Sequence, residues 1–331
     1  CYLYNKNRLL HQWTNLVWMT RIRPDNLHIH YSLLDLWIVR WAKRKGLRVI
    51  GNDVLHVNYL LAKALIENNK KTITDQDLKI IFAGNPFKGF MYKNFSKVHF
   101  FPQECMQLDL YRKNINKLSC KYKKALALSL LRRAMIRKMP YSRFNILWKK
   151  VVQLRDEDFS YKYYKRKRAY HNQSFKHHFV ENLESYNKAI FNNKKINIAL
   201  NLDIYKAINK VNTDIIYLDP PYTGTMNDYY GFYGLIDNYI SSKKRKRFKN
   251  DFIDKKKALS NFDRLFSKLK KFKYWYLSYN NQSYPTSRQI YKLLRKYSDN
   301  VKLIKKRHVY KITGKNKKQA NTEYLFIVKN K

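Results

Sequence analysis

Apolar positions along the chain fall into short runs that are separated by longer segments with helical spacing. The runs are rich in β-branched and aromatic residues and lie at Leu33–Trp37, Arg48–Asn52, Asp214–Leu218, Tyr274–Ser278, Val301–Lys305 and Tyr324–Val328. Such runs predict buried strands. Apolar residues recur at helical spacing in Leu55–Asn68. Strands that alternate with helices predict an α/β fold with a mainly parallel sheet, and the close spacing of the last strands allows an antiparallel edge.

The strand pattern stops between residues 76 and 190. Segments such as Lys123–Met139 instead have the apolar spacing of an amphipathic helix. We therefore predict an α/β domain formed by residues 1–75 and 191–331, interrupted by a mostly helical insertion at residues 76–190. No apolar run is long enough to cross a bilayer, so a membrane is not an expected partner.

The charge of the chain is strongly positive. Lysine and arginine total 69 against 23 acidic residues, which gives a formal charge of +46. Such a chain repels itself unless a polyanion neutralises it, so we predict that nucleic acid is its partner. The residues expected to contact nucleic acid are basic and lie mostly in two dense segments: Arg143, Arg155, Lys162, Lys165, Arg166, Lys167, Arg168, Lys243, Lys244, Arg245, Lys246 and Arg247.

The candidate catalytic residues are Asp219–Tyr222, which read Asp-Pro-Pro-Tyr and directly follow a predicted apolar strand. A carboxylate at this position lies where open α/β sheets bind their ligands. Asp219 and the carbonyl of Pro220 can accept the two hydrogens of an exocyclic amine, and Tyr222 can stack on its ring. Pro221 stiffens the turn. These four residues are the predicted catalytic set for a reaction at a flipped base.

Together with this turn, several other segments resemble motifs of the adenine-specific DNA methyltransferases whose recognition region precedes the Asp-Pro-Pro-Tyr motif. The segments are Val49–Asn68, Phe82–Phe90, Lys138–Asn145, Gln153–Tyr163, Arg168–Phe175 and Leu277–Asn281. The resemblance implies a Rossmann-like methyltransferase sheet with an inserted target-recognition domain, and S-adenosylmethionine as the methyl donor. It also implies that Asp53 meets the donor's ribose and that Asp203 lies beside its adenine.

One part of that resemblance is missing. The family binds its donor with a glycine-rich turn after the first strand and a glycine in an N-terminal element, whereas the first glycine of this chain is Gly46. Tyr4 takes one glycine position beside the retained Lys6. Asp35 and Trp37 hold the predicted strand end, and the predicted helix Val39–Lys45 follows without a loop. The missing glycines therefore predict a degenerate donor pocket and no bound cofactor. The cofactor-binding residues that remain in that pocket are Lys6, Asp35, Trp37, Asp53 and Asp203.

Two functions remain open. The first is a catalytically degenerate, methyltransferase-derived protein that binds RNA as a structural component of a large ribonucleoprotein, together with other proteins of that particle. Codon bias towards Lys, Asn, Ile, Tyr and Phe favours an organelle genome, and so a mitochondrial ribosome in the organelle matrix. The alternative is an active adenine-specific DNA methyltransferase that uses S-adenosylmethionine on DNA, in the cytoplasm of an AT-rich microbe.

A metal site is not expected from the sequence. His171, His177 and His178 lie in a basic, tyrosine-rich stretch in which the pattern shows no carboxylate or thiol at ligand spacing. We expect these histidines to contact nucleic acid or solvent.

Overall fold

The computed structural model describes residues 26–30, 36–142, 144–165, 169–220, 229–246, 252, 254–309 and 320–330. The chain divides into two compact units. The first consists of residues 1–54, 193–227 and 249–331, and the second of residues 55–192 and 228–248. The predicted insertion at 76–190 falls within the second unit, which begins earlier and also takes in 228–248.

The first unit is built on a seven-stranded sheet. Its strands are β1 (Asn26–His30), β2 (Arg48–Asn52), β3 (Ile198–Leu200), β4 (Ile215–Leu218), β5 (Tyr274–Asn280), β6 (Asn300–Val309) and β7 (Ala320–Lys329). Their order is β3-β2-β1-β4-β5-β7-β6. The first five are parallel, and β7 runs antiparallel between β5 and β6. This arrangement confirms the predicted Rossmann-like α/β fold.

Thirteen α-helices lie in the described residues. They are α1 (Leu36–Arg44), α2 (His56–Ala62), α3 (Asp75–Phe82), α4 (Phe90–Phe95), α5 (Pro102–Ile115), α6 (Lys121–Lys138), α7 (Trp148–Arg155), α8 (Glu157–Tyr164), α9 (Phe175–Asn187), α10 (Ile204–Lys210), α11 (Tyr229–Ser241), α12 (Ala258–Lys268) and α13 (Ser287–Arg295). A π-helical turn, Lys63–Glu67, continues α2. None of the described helices is long and apolar enough to span a membrane.

Apolar side chains from the sheet and from the helices that pack on it form the core of the first unit. Ile216, Trp275 and Phe326 project from the sheet, and Phe262 and Ile290 come from α12 and α13. All five are at most 1% exposed. Burying side chains of this kind contributes about 1.5–3 kcal/mol each, so this cluster holds the strands that carry the site.

The centre of the second unit is α6. Eight consecutive residues of this helix, Ala125–Arg132, are buried, and eight residues cover every face of a helix with about 3.6 residues per turn. The helix is therefore surrounded by protein instead of being amphipathic, and α2 and α9 pack against it. The charged end of its Lys138 side chain is also buried and lies 2.8 Å from Glu104.

The start of the sheet differs from the sequence prediction. The predicted strand Leu33–Trp37 is wrong at its carboxyl end, because α1 already begins at Leu36, and the first described strand is β1. The expectation that this helix follows the strand without a loop depends on residues 31–35. Those residues, which include Asp35, lie outside the described part of the chain.

Candidate active site

The strand order reverses between β1 and β4, so the chain winds away from this point in two directions. Open α/β sheets bind ligands in the crevice at the carboxyl ends of the strands where such a reversal occurs. In the register of the sheet, Asn52, His30 and Leu218 lie side by side as the last residues of β2, β1 and β4. The residues that follow Asn52 and Leu218 therefore line the crevice.

Two buried carboxylates follow this row. Asp53 comes directly after β2 and Asp219 directly after β4, and they are 2% and 3% exposed. Because β1 lies between their strands and neighbouring strands are about 4.8 Å apart, their backbones are about 10 Å apart. The structure thus brings the predicted ribose-binding residue and the predicted catalytic residue to the same edge of the sheet.

Asparagine side chains fix the loop that carries Asp53. The Asn52 Nδ2 donates to the Leu202 carbonyl at 3.0 Å, and its Oδ1 accepts from the Leu202 amide at 3.1 Å. The Asn201 Nδ2 donates to the Asp53 carbonyl at 2.8 Å. The loops after β2 and β3 are therefore tied together, although the sequence analysis singled out neither asparagine.

The predicted residue Asp203 lies on the second of these loops. It is exposed, and its Oδ1 accepts from the Tyr205 amide at 2.9 Å as the N-cap of α10. Its backbone follows Leu202, the residue that Asn52 binds. Asp203 is thus held near the carboxyl ends of β2 and β3, and its place beside the donor stays a prediction.

The strand before Asp219 is completely buried from Ile215 to Leu218. Pro220 is buried as well. Buried apolar residues hold β4 in the sheet and so fix the position at which the chain turns out of it. Pro221 and Tyr222 of the predicted catalytic set lie outside the described residues.

The predicted pocket segment Leu277–Asn281 ends β5, the neighbour of β4. The Asn280 Oδ1 accepts from the Ser283 hydroxyl at 2.6 Å. Asn281 exchanges two hydrogen bonds with the backbone of Thr322, each 2.9 Å long. Asn280 and Asn281 therefore fix the turn after β5. Their bonds to Ser283 and Thr322 have no signal in the sequence pattern.

The donor set fits the ribose and adenine part of S-adenosylmethionine. Carboxylates accept hydrogen bonds from hydroxyl groups, and related nucleotide-binding folds place an acid at the end of the second strand for this purpose. Asp53 has this position and Asp203 lies on the adjacent loop. Lys6 and Asp35 lie outside the described residues. The backbone of Trp37 is in the first turn of α1, and its side chain is outside the described part.

Six of the basic residues predicted to contact nucleic acid are exposed in the structure. They are Lys162, Lys165, Lys243, Lys244, Arg245 and Lys246. Lys162 lies in the helix α8, which leaves Tyr161 and Tyr163 more than half exposed, at 54% and 61%. Arg143, Arg166, Lys167, Arg168 and Arg247 lie outside the described residues.

Arg155 does not have the predicted surface position. It is 6% exposed, and its guanidinium makes two hydrogen bonds to Glu104, at 2.6 and 2.8 Å. Its Nε donates to Asn172 at 3.2 Å. A guanidinium that is buried and paired in this way cannot reach a phosphate, so Arg155 stabilises the second unit instead.

The helix that follows Asp53 is capped by a distant residue. The amides of His56 and Val57, in the first turn of α2, donate to the Asp237 carboxylate at 3.0 and 2.8 Å. The residue that precedes the helix, Leu55, has no capping side chain. Burial raises the pKa of Asp237, while the two amides oppose that shift. A partner 180 positions away along the chain leaves no local sequence signal.

Comparison with known proteins decides the family. The family profile of the D12 class N6 adenine-specific DNA methyltransferases matches residues 37–293, which include Asp53, Asp203 and the whole Asp219–Tyr222 turn. The chain belongs to this family. The resemblance found in the sequence is therefore confirmed.

Two bacterial relatives show how far the similarity extends. The Type II methyltransferase M2.HphI of Haemophilus parahaemolyticus is 54% identical over 290 residues, which cover 88% of the chain and 86% of that protein. The modification methylase StsI of Streptococcus sanguinis is 29% identical over 166 residues, 46% of the chain and 25% of that protein. The first similarity therefore extends over nearly the full length of both proteins.

These relatives overturn the first of the two functions left open. The prediction of a degenerate, RNA-binding component of a mitochondrial ribosome is wrong, because the chain is 54% identical to a Type II methyltransferase over 88% of its length. Neither comparison supports RNA as the favoured partner, an absent cofactor or an organelle matrix. The two missing glycine elements were expected at Tyr4 and directly after Trp37, and the family match begins at residue 37.

Proposed function

We propose that this chain is an active enzyme that transfers a methyl group from S-adenosylmethionine to the exocyclic amino group of adenine in DNA. The main support is the identity of 54% to a Type II methyltransferase over 88% of the chain. The buried Asp219 at the point where the sheet order reverses is the structural support. We further propose that it works in a bacterial cell, as its two relatives do.

In this proposal the chain's own groups prepare the amine for attack. Asp219 and the Pro220 carbonyl accept its two N–H groups, which keeps the lone pair of the nitrogen localised and directed out of the ring plane. Tyr222 stacks on the target base, which must first flip out of the DNA duplex to enter the site. Asp53 holds the ribose of S-adenosylmethionine, which supplies an electrophilic methyl group when it is bound.

DNA binding in this proposal involves the exposed basic residues of the second unit. Lys162 and Lys165 flank the exposed rings of Tyr163 and Tyr164. Lysine ammonium groups neutralise phosphates, and exposed aromatic rings stack on unpaired bases. These contacts position DNA on the second unit.

Methyl transfer to DNA tests the proposal. The chain is incubated with labelled S-adenosylmethionine and bacterial DNA that lacks adenine methylation, and the modified base is identified by mass spectrometry. We expect N6-methyladenine at specific sites. No incorporation into any DNA at millimolar donor would refute the proposed activity.

Asp219→Ala tests the role of the buried carboxylate. We expect a loss of at least about 100-fold in methyl transfer, the usual effect of removing a positioned catalytic group. Asp214→Asn is the matched control, because Asp214 is exposed at the opposite end of the same strand. Equal losses in both variants would show that Asp219 acts only through the stability of β4.

A further inference from the structure

The first turn of α9 holds an unusual contact between two hydrogen-bond acceptors. The Nε2 of His178 lies 2.8 Å from the Tyr170 carbonyl. A carbonyl can only accept, so Nε2 carries the proton and the neutral ring has its lone pair on Nδ1. That lone pair points towards the Glu181 Oε2, which is 3.6 Å away.

This contact is not a hydrogen bond. A distance of 3.6 Å is too long for one. Within the described residues, the Nδ1 of His178 has no hydrogen-bond partner, although the side chain is only 1% exposed. A buried nitrogen that lacks a partner costs free energy, and two facing lone pairs repel each other. A group with positive charge between them would remove both costs.

A third ligand atom lies close by. His177 is exposed on the same turn, and ligand atoms of His177, His178 and Glu181 all lie within 4.8 Å of one another. Zinc bonds of about 2.0–2.1 Å in a tetrahedral arrangement separate ligand atoms by about 3.4 Å. The distance of 3.6 Å between the His178 Nδ1 and the Glu181 Oε2 is near that value. Rotation of the exposed His177 ring brings its nitrogen to a similar distance from these two atoms.

We propose that His177, His178 and Glu181 bind a divalent transition metal ion of the zinc class. Two imidazoles and one carboxylate suit such an ion, with solvent in the fourth position. The bond from the Nε2 of His178 to a backbone carbonyl is the outer contact that orients metal-binding histidines in many proteins. The sequence expectation of no metal overlooked Glu181, which lies one helical turn after His177.

Neighbouring positive charges determine the expected affinity for the metal ion. Arg137 already donates to both oxygens of Glu181 at 2.8 Å. Each carboxylate oxygen has a second lone pair, so the ion can bind while Arg137 stays in place. Arg137 and the electropositive start of α9 both oppose a cation. We therefore expect a micromolar dissociation constant, weaker than that of four-ligand structural zinc sites.

The test is binding of zinc to the metal-free full chain, measured by calorimetry, with cobalt as a spectroscopic substitute. We expect one ion per chain, a higher Tm with zinc, and the visible absorption of tetrahedral cobalt. Glu181→Gln and His177→Asn are expected to weaken binding at least 10-fold. Both side chains are exposed, so both variants are expected to fold.

Glu184→Gln is the matched control. Glu184 lies on the same helix, is exposed, and forms an ion pair with Lys188. Its loss is expected to leave zinc binding unchanged. The proposal is overturned if no ion binds at micromolar free zinc, or if Glu181→Gln and Glu184→Gln bind equally well. An NMR signal of doubly protonated His178 that zinc does not alter would also overturn it.

Discussion

Glu104 is the residue on which two buried cations depend. The Nζ of Lys138 and the guanidinium of Arg155 lie 2.8 and 2.6 Å from its Oε1. Its other oxygen accepts from the Phe101 amide at the start of α5. Burial by itself raises the pKa of Glu104, but Arg155 and Lys138 more than offset this and hold that pKa below its usual value. The carboxylate is therefore charged in the folded protein.

Glu104→Gln is expected to lower the free energy of unfolding by about 3 kcal/mol, because it leaves two buried cations without their counter-ion. Denaturant unfolding measures this. Glu184→Gln serves as the control and is expected to have almost no effect, since Glu184 is exposed. Similar losses in the two variants would contradict the structural role of Glu104.

The same residue predicts a pH dependence. A carboxyl with a lowered pKa in the folded state contributes stability above its unfolded value of about 4.3, and this contribution disappears as the pH falls through the folded value. The difference in unfolding free energy between the wild type and Glu104→Gln should therefore shrink below about pH 4. A difference that stays constant down to pH 2 would argue against the ion pair.

Gly89 shows a steric constraint of a different kind. A Cβ atom at this position would lie 2.7 Å from the Cγ of Asp109, whose carboxylate accepts from the amides of Gly89, Met91 and Tyr92. Gly89→Ala must displace Asp109 or the start of α4, and we expect a cost of about 1–3 kcal/mol in thermal unfolding. A variant as stable as the wild type would show that Asp109 moves freely.

Sequence reasoning identified residues whose role depends on their neighbours along the chain. Asp219 was singled out because it directly follows a run of strand residues, and Asp53 because its segment resembles a motif of the family. Arg155 was misjudged because its partner, Glu104, is 51 positions away. A charged residue has the same sequence signal whether it meets a phosphate or a buried carboxylate, and only packing decides between them.

Among the elements, α2 depends on another helix for its cap. Asp237 of α11 binds the two amides at its start, and such caps contribute about 0.5–2 kcal/mol. We expect Asp237→Ala to destabilise the chain by about 1 kcal/mol, as measured by denaturant unfolding. It should also weaken methyl transfer, because α2 begins three residues after Asp53.

Asp237→Asn keeps one acceptor oxygen and serves as the comparison. It should retain more stability than the alanine variant, since one of the two amides keeps its partner. If the two variants are equally unstable, the cap is not the source of the effect.

The elements that the sequence predicted well are those with a single strong pattern. The strand β2 was predicted with its observed limits, Arg48–Asn52, because a continuous apolar run is bounded by polar residues. The strand β1 was missed because its residues, Asn-Leu-His-Ile-His, include two histidines. The predicted strand Leu33–Trp37 failed because the apolar start of α1 has the same short-range pattern as a buried strand.

At the scale of the whole molecule, the charge of +46 predicts strong salt dependence of DNA binding. Each phosphate contact changes the slope of the logarithm of affinity against the logarithm of salt concentration by about 0.9. Lys162→Glu combined with Lys165→Glu should therefore reduce that slope by about 2, as fluorescence anisotropy with a DNA duplex can measure.

The pair Lys255→Glu and Lys256→Glu is the matched control. It makes the same change in net charge at two exposed residues outside the predicted contact segments. A smaller change in slope is expected. Equal slopes for both double variants would show that DNA responds to the total charge and not to the predicted contacts.

Function at this scale was the least predictable property. The charge correctly indicated nucleic acid, but it does not distinguish RNA from DNA. The absence of glycines before Gly46 led to the prediction of a lost pocket, which the family match and the relative of 54% identity contradict. Residues that are present, such as Asp53 and Asp219, were a better guide than residues that were missing.

The position of β7 has a consequence for synthesis of the chain. This strand follows β6 in sequence, yet it lies between β5 and β6 in the sheet. While the ribosome is still making it, β5 has an open edge and β6 has no partner in the described sheet. A nascent chain therefore exposes two unpaired strand edges until β7 emerges, and a chain that stops before Ala320 lacks an interior strand instead of an edge strand.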